Sequence, residues 1–263
     1  SEPLKEEPVI YQHDQNDDTF DVTPIHYEVT PAECASCVNQ KFGIQTHSVV
    51  CSICFNSTGD KIAFSNNKTI FLVSTVDGSI ISTYHIDLPQ DSQDYNVRTI
   101  KISPDDQYIA IGGPNNNILI YSLESTQLVA DLEEHTNKVS SLLFSNDGKT
   151  LYSGGFDGTI CVWNLETMSL TTKQSHGNSE PSKNNQDNMI VSLTKDDEES
   201  FIAVGFMDGY VGLYAPDLQS SPNRFPAHDQ YLLDVATSPL DCTIATSSHD
   251  CTTKIWVLRG VAS

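Results

Sequence analysis

His135, Ser153 and Asp157 supply the three side-chain types of a hydrolytic triad: an imidazole base, a hydroxyl nucleophile and a carboxylate to orient the base. Trp163 adds an indole N–H six residues on. The same four groups return as His228, Thr246, Asp250 and Trp256, again at offsets of 18, 4 and 6 residues. An enzyme needs one active site, whereas two sets in register suit architecture. No Gly-x-Ser-x-Gly elbow is present, so no catalytic residue is assigned.

A second candidate is zinc. Cys34-x-x-Cys37 and Cys51-x-x-Cys54 are separated by 13 residues, a spacing that can suit four thiolates. Against it, Cys51 and Cys54 fall in a strand, where residues three apart face opposite ways. Cys54 is then core, Cys51 faces elsewhere, and neither a metal nor a cofactor is expected. Phosphate-cradling loops and basic patches with interleaved aromatics are absent, and His26, His85 and His176 read as surface or turn residues.

The elements that must position these groups are short strands. The chain has 263 residues, is 38% hydrophobic, and has no apolar run near the ~18 residues a membrane helix needs. Formal charge is −21, from 14 basic and 35 acidic residues, which repels nucleic acid phosphates and favours basic partners. Seven cysteines, an odd number, suit a reducing compartment. Residues 1–18 are acidic and predicted to be disordered, with one all-β domain over 19–263. Five units follow, at about 47–84, 95–130, 135–170, 188–224 and 228–258. Each reads strand, polar turn, strand with small residues, tight turn, and strand ending in an aromatic. The turn position recurs at Asn115, Asp157, Asp208 and Asp250, at gaps of 42, 51 and 42 residues. The segments 174–188 and 85–94 read as inserted loops.

A period of about 40–45 residues with a His…Asp…Trp signature resembles the WD-repeat β-propeller family. The resemblance covers about 47–258. Five repeats are recognisable, and an incomplete seven-bladed ring is favoured over a five-bladed one, with Phe20 to Val29 a candidate strand to close the last blade. The family likeness implies that each tetrad is a buried network, indole to hydroxyl, hydroxyl to imidazole and imidazole to carboxylate. It also implies a partner-facing top surface. By register this comprises Asn66, Pro114, Phe156, Met207 and His249 beside the turn Asp, with Cys51, Arg98, Ser140, Val191 and Leu233 in the innermost strands.

Residues 46–78 and 94–135 further resemble the Tup-type, Groucho-related fungal transcriptional corepressors, although Tyr121 and Tyr214 stand where the family has Trp. That resemblance implies a non-catalytic module in the nucleus, with the cytoplasm as second choice. Its partners would be DNA-binding repressors, basic histone tails and a TPR-containing corepressor partner, with no direct contact to nucleic acid or membrane. The alternative is a WD scaffold or substrate receptor in a ubiquitin ligase, RNA-processing or trafficking complex.

Overall fold

Short runs rich in Val, Ile and Phe, punctuated by Asp, Asn and Gly, form strands throughout the computed structural model. It describes residues 22–23, 43–44, 46, 49–86, 97–175 and 188–258. Residues 1–18, most of both expected insertions, Cys34 and Cys37 lie outside the described residues. The chain divides into two compact units, Ser1–Ser48 and Val49–Ser263. In the first, β1 (Val22–Thr23) pairs antiparallel with β2 (Gly43–Ile44). Only these two residues of the expected closing strand, Phe20 to Val29, are described, and their ladder partner is β2.

The second unit is all-β, with no helix among the described residues. Five antiparallel sheets follow one another in chain order. The first comprises β3 (Ile53–Phe55), β4 (Lys61–Asn66), β5 (Thr69–Ser74) and β6 (Ile80–His85). The second comprises β7 (Ile100–Ile102), β8 (Tyr108–Gly112), β9 (Ile118–Ser122) and β10 (Leu128–Leu132). The third comprises β11 (Val139–Phe144), β12 (Thr150–Gly155), β13 (Thr159–Asn164) and β14 (Ser169–Ser175). The fourth comprises β15 (Ile190–Lys195), β16 (Ile202–Phe206), β17 (Tyr210–Tyr214) and β18 (Asn223–Pro226). The fifth holds three strands among the described residues: β19 (Leu232–Thr237), β20 (Thr243–Ser248) and β21 (Thr253–Val257).

The strand pattern explains the stacking. Middle strands such as β12 and β16 are buried along almost their whole length, because the third and fourth sheets are covered on both faces by their neighbours. Four hydrophobic cores join successive sheets. Tyr84 and Ile70 meet Ile100 and Ile111; Ile118 and Ile120 meet Leu142 and Trp163. Ile160 meets Val204 and Phe206, and Ala203 meets Val235 and Ile244. The outer strands β6, β10, β14 and β18 are largely exposed and mix apolar with polar residues, so the apolar pattern of the sequence did not single them out.

Two features arise in the innermost strands. The pairing register slips once in β11, β15 and β19, and the bulged residues are Ser140, Val191 and Leu233. A bulge re-aims the extra side chain out of the ladder. Polar side chains stitch the free edge of a first strand to the next sheet, from Ser141 and Ser192 after their bulges and from Ser52 just before β3. Ser141 Oγ accepts the Leu193 amide at 3.0 Å, and Ser52 Oγ accepts the Ile100 amide at 3.0 Å. Ser192 Oγ donates to Asp234 at 2.6 Å. Backbone groups that a sheet edge leaves unpaired are thereby satisfied across the seam.

The tight turns demand unusual backbone. Gly209 sits at φ +90°, and a Cβ there would lie 2.3 Å from the His228 carbonyl oxygen. Gly59 has φ +73° but open space around it. Gly209→Ala is expected to lower urea-unfolding stability by about 3 kcal/mol or more, since backbone must shift. Gly59→Ala should cost only ~1 kcal/mol from the left-handed conformation. Equal losses would show that the Gly209 contact relaxes freely.

Candidate functional site: pinned turns and the channel rim

The β12–β13 turn, Phe156 to Gly158, is held from two sides. His135 Nδ1 lies 3.1 Å from each Asp157 carboxylate oxygen, and His135 Nε2 lies 2.8 Å from Ser153 Oγ. Trp163 Nε1 donates to Ser153 Oγ at 2.9 Å. One proton arrangement satisfies the set. The carboxylate can only accept, so Nδ1 carries the ring proton; the hydroxyl donates to Nε2 and accepts from the indole. Asp157 also accepts the backbone amides of Thr136 at 2.7 Å and Thr159 at 3.0 Å. Gly155 is required beneath it, since a Cβ would come within 2.7 Å of His135 Nδ1.

The fifth sheet repeats the arrangement. His228 Nδ1 contacts Asp250 at 2.8 Å, His228 Nε2 contacts Thr246 Oγ1 at 2.8 Å, and Trp256 Nε1 donates to the same hydroxyl at 2.9 Å. Burial alone would raise the pKa of Asp157; the His135 hydrogen bond, with the two amides, outweighs it and holds the carboxyl below its usual range. The Thr252 hydroxyl, then His228 and the Thr252 amide, bring Asp250 down to about 2 against the opposing effect of burial.

These proton relays have the connectivity of a catalytic triad without its access. Ser153 is fully buried and Thr246 nearly so, beneath the indoles they bond. A nucleophile must reach a substrate carbonyl. These hydroxyls reach only their own neighbours, and they satisfy polar groups that would otherwise be buried unpaired.

Where the tetrad has decayed, other groups hold the turn. In the fourth sheet Val204 and Tyr214 replace hydroxyl and indole, and Asp208 is ion-paired with Arg224 from β18. The Arg224 guanidinium lies 4.5 Å from the Phe206 ring and 4.8 Å from Tyr210. In the second sheet Asn117 bonds Asp131 at 2.5 Å, and Tyr121 packs edge-on to Tyr84 at 5.5 Å. Sequence spacing did not point to Arg224, because it comes from the polar outer strand.

Pinned turns set the channel rim. The residue before each turn Asp donates its amide to the approach of the inner strand: Phe156 to Lys138 at 2.9 Å, Met207 to Met189 at 2.8 Å, His249 to Tyr231 at 2.8 Å. Each therefore stands close to the bulged residue of its own sheet. Cys51, Arg98, Leu233 and His249 are exposed; Asn66, Pro114, Ser140, Phe156, Val191 and Met207 are half-buried. The innermost strands line a channel of about 580 Å³ whose walls include Cys51, Lys101, Ser140, Val191 and Asp234. Ser140, expected to face a partner, also spends its hydroxyl on the Ile190 carbonyl at 2.5 Å.

The cysteine spacing does not assemble a chelating pair at Cys51 and Cys54. Cys51 is exposed on the channel, while Cys54 packs against the first core and burial pushes its thiol up to about 11. Cys161, fully buried beside Trp163, is pushed up to about 12 by burial. Among the described residues no His, Cys, Asp and Glu cluster could hold a metal ion.

Comparison with known proteins agrees with this geometry. The model of the WD domain, G-beta repeat, matches residues 126–164 and 219–257, the two spans ending just past Trp163 and Trp256. The model of the anaphase-promoting complex subunit 4 WD40 domain matches residues 53–137. The chain therefore carries WD40 repeats. The WD40 chain is 26% identical to periodic tryptophan protein 2 of Arabidopsis thaliana, over 64% of this chain and 18% of the relative. It is 25% identical to protein HIR1 of Kluyveromyces lactis, over 64% of this chain and 22% of the relative. To cell division cycle 20.1, cofactor of APC complex, of Arabidopsis thaliana it is 28% identical over 62% of this chain and 36% of the relative. The chain thus spans between about a fifth and a third of the length of these curated relatives.

Two outcomes test the pins. Ser153→Ala leaves an imidazole nitrogen and an indole N–H buried without partners, and should cost about 2–4 kcal/mol in denaturant unfolding. A loss under about 0.5 kcal/mol would remove the network from the stability account. For pH, the folded pKa of both Asp157 and Asp250 is depressed. Their stabilisation is complete above the unfolded carboxyl pKa of about 4 and fades as pH falls further; for Asp250 it is lost through about 2. Asp250→Asn should flatten that acid limb of the stability profile; an unchanged limb would contradict the assignment.

Proposed function

We propose that this WD40 domain is the docking module of a transcriptional corepressor, acting in the nucleus as a protein-interaction scaffold without chemistry of its own. The observation that carries the scaffold reading is the rim. The residues before three turns are each fixed by a hydrogen bond beside the inner strand, so an ordered set of mixed apolar and polar side chains surrounds the channel. Pre-organised anchors of this kind lower the entropy cost of binding a peptide. Phe156 and Met207 are of types enriched at interface cores, and exposed Leu233 adds apolar area beside them.

The corepressor reading leans on the resemblance of residues 46–78 and 94–135 to the Tup-type family. In that reading short segments of DNA-binding repressors dock on the rim. Basic histone tails are drawn by the charge of −21, and a TPR-containing partner joins the assembly. The cytoplasm is the second choice of location. A second reading, a WD scaffold or substrate receptor in another complex, is favoured by the two comparisons whose names carry the anaphase-promoting complex.

Affinity purification with mass spectrometry separates the two. Wild type should recover repressors or histones and a TPR protein, and Phe156→Asp should reduce that recovery at least about fivefold, a loss of ~1 kcal/mol. Recovery of anaphase-promoting complex subunits instead would favour the second reading. Equal recovery by wild type and Phe156→Asp would argue against the rim as the docking site.

A further inference from the structure

We propose that the rim over the first three sheets is a docking site for an acidic peptide segment, gripped by Arg98, Lys68 and Lys138. This rests on the reading of the rim as a docking surface and specifies the chemistry of what lands there.

The distribution of cations carries it. The chain has 35 acidic and 14 basic residues, so a cation without a counter-ion is unexpected. Lys61, Lys149, Lys173, Lys195 and Arg224 each have a carboxylate within ion-pair distance. Lys254 donates to the Ala227 carbonyl and lies over the Trp256 ring. Four exposed cations, Lys68, Arg98, Lys101 and Lys138, make no ion pair among the described residues. All four belong to the first three sheets or their turns.

The structure brings three of them to one stretch of rim. Asn67, next to Lys68, accepts the amide of Val97, next to Arg98, at 3.2 Å. The Arg98 guanidinium lies 5.5 Å from the centroid of Phe156, and Phe156 donates its amide to Lys138. Lys101 lies further along the channel wall.

Among the described residues the tips of the adjoining turns carry no exposed carboxylate, and Asp131 beside the second turn is bonded to Asn117. The first two sheets have Asn66-Asn67 and Asn115-Asn116 where later sheets have Asp, and Asp157 is committed to His135 and two amides. The exposed carboxylates Asp229 and Asp234 belong to the fifth sheet and its approach. The rim is therefore electrically divided, against the sign of the whole molecule.

A guanidinium stacked on an aromatic ring keeps its N–H groups free at the edge, where a carboxylate can accept two of them side by side. Pro114 and Phe156 offer apolar contact for a side chain between two acidic residues. A short acidic peptide fits a local patch of this size, whereas a long polyphosphate would also meet the repulsive field of the remaining surface.

Fluorescence anisotropy on the full chain at low salt tests this. The probe is a fluorescein-labelled peptide of repeated Asp-Glu-Leu; the comparison is its repeated Lys-Arg-Leu counterpart. Arg98→Glu and Lys138→Glu should each weaken acidic-peptide binding by more than about tenfold, and Lys149→Glu, an equal charge change away from the rim, by less than about twofold. Arg98→Gln guards against misfolding and should weaken binding in the same order. No acidic-peptide binding, or equal loss with Lys149→Glu, would overturn the proposal. Basic-peptide binding alone, lost in Asp229→Lys or Asp234→Lys, would overturn the polarity and keep the rim as docking surface. Indifference of both peptides to every rim variant would overturn the docking reading itself. A labelled oligothymidylate that bound more tightly, with the same variant dependence, would reassign the patch to nucleic acid.

Discussion

A buried hydroxyl that accepts an indole N–H and donates to an imidazole is the junction on which this domain is organised. The third and fourth sheets bury both faces against their neighbours, which leaves their polar turns as the groups that need other partners. Ser153 and Thr246 tie the middle of a sheet to the His that precedes it, and each His in turn holds the hairpin carboxylate. One oxygen thereby ties two strands to the approach of a third and, through the imidazole, to the turn. Unpaired, each of these buried groups would cost on the order of 1–3 kcal/mol, comparable to a large fraction of a domain's net stability.

From that junction the rest follows inward. A fixed turn places the residue before the Asp beside the first strand of its sheet. A bulge in that strand turns Ser140, Val191 or Leu233 out of the ladder. The residue after the bulge, Ser141 or Ser192, reaches the next sheet. Stability on the outside and a patterned rim on the inside are two ends of one arrangement. The fourth sheet shows how little depends on residue identity: Arg224 and Asp208 do by an ion pair what His and Asp do elsewhere.

The sheets, the turns and both tetrads were legible because their signals are local: β-branched runs, Asp-Gly pairs and a fixed spacing of four polar residues. Three things were not. The outer strands are half-polar and carry no apolar period. The serine seams require comparing one position, Ser52, Thr99, Ser141, Ser192 and Asp234, across all five first strands. The basic rim is scattered in sequence across Lys68, Arg98 and Lys138, and only the stacking of sheets makes one surface of it. Net charge alone pointed toward basic partners, and it averages over this local reversal.

The chain contains two tryptophans, so each tetrad reports through its own indole proton in an NMR spectrum. The decisive measurement is the exchange of those two protons with solvent. If both indoles donate to buried hydroxyls, both signals should exchange slowly, the Trp163 signal should become labile in Ser153→Ala, and the Trp256 signal should do so in Thr246→Val. Indole protons that exchange freely in the wild type, or that are indifferent to loss of their hydroxyl, would contradict the account.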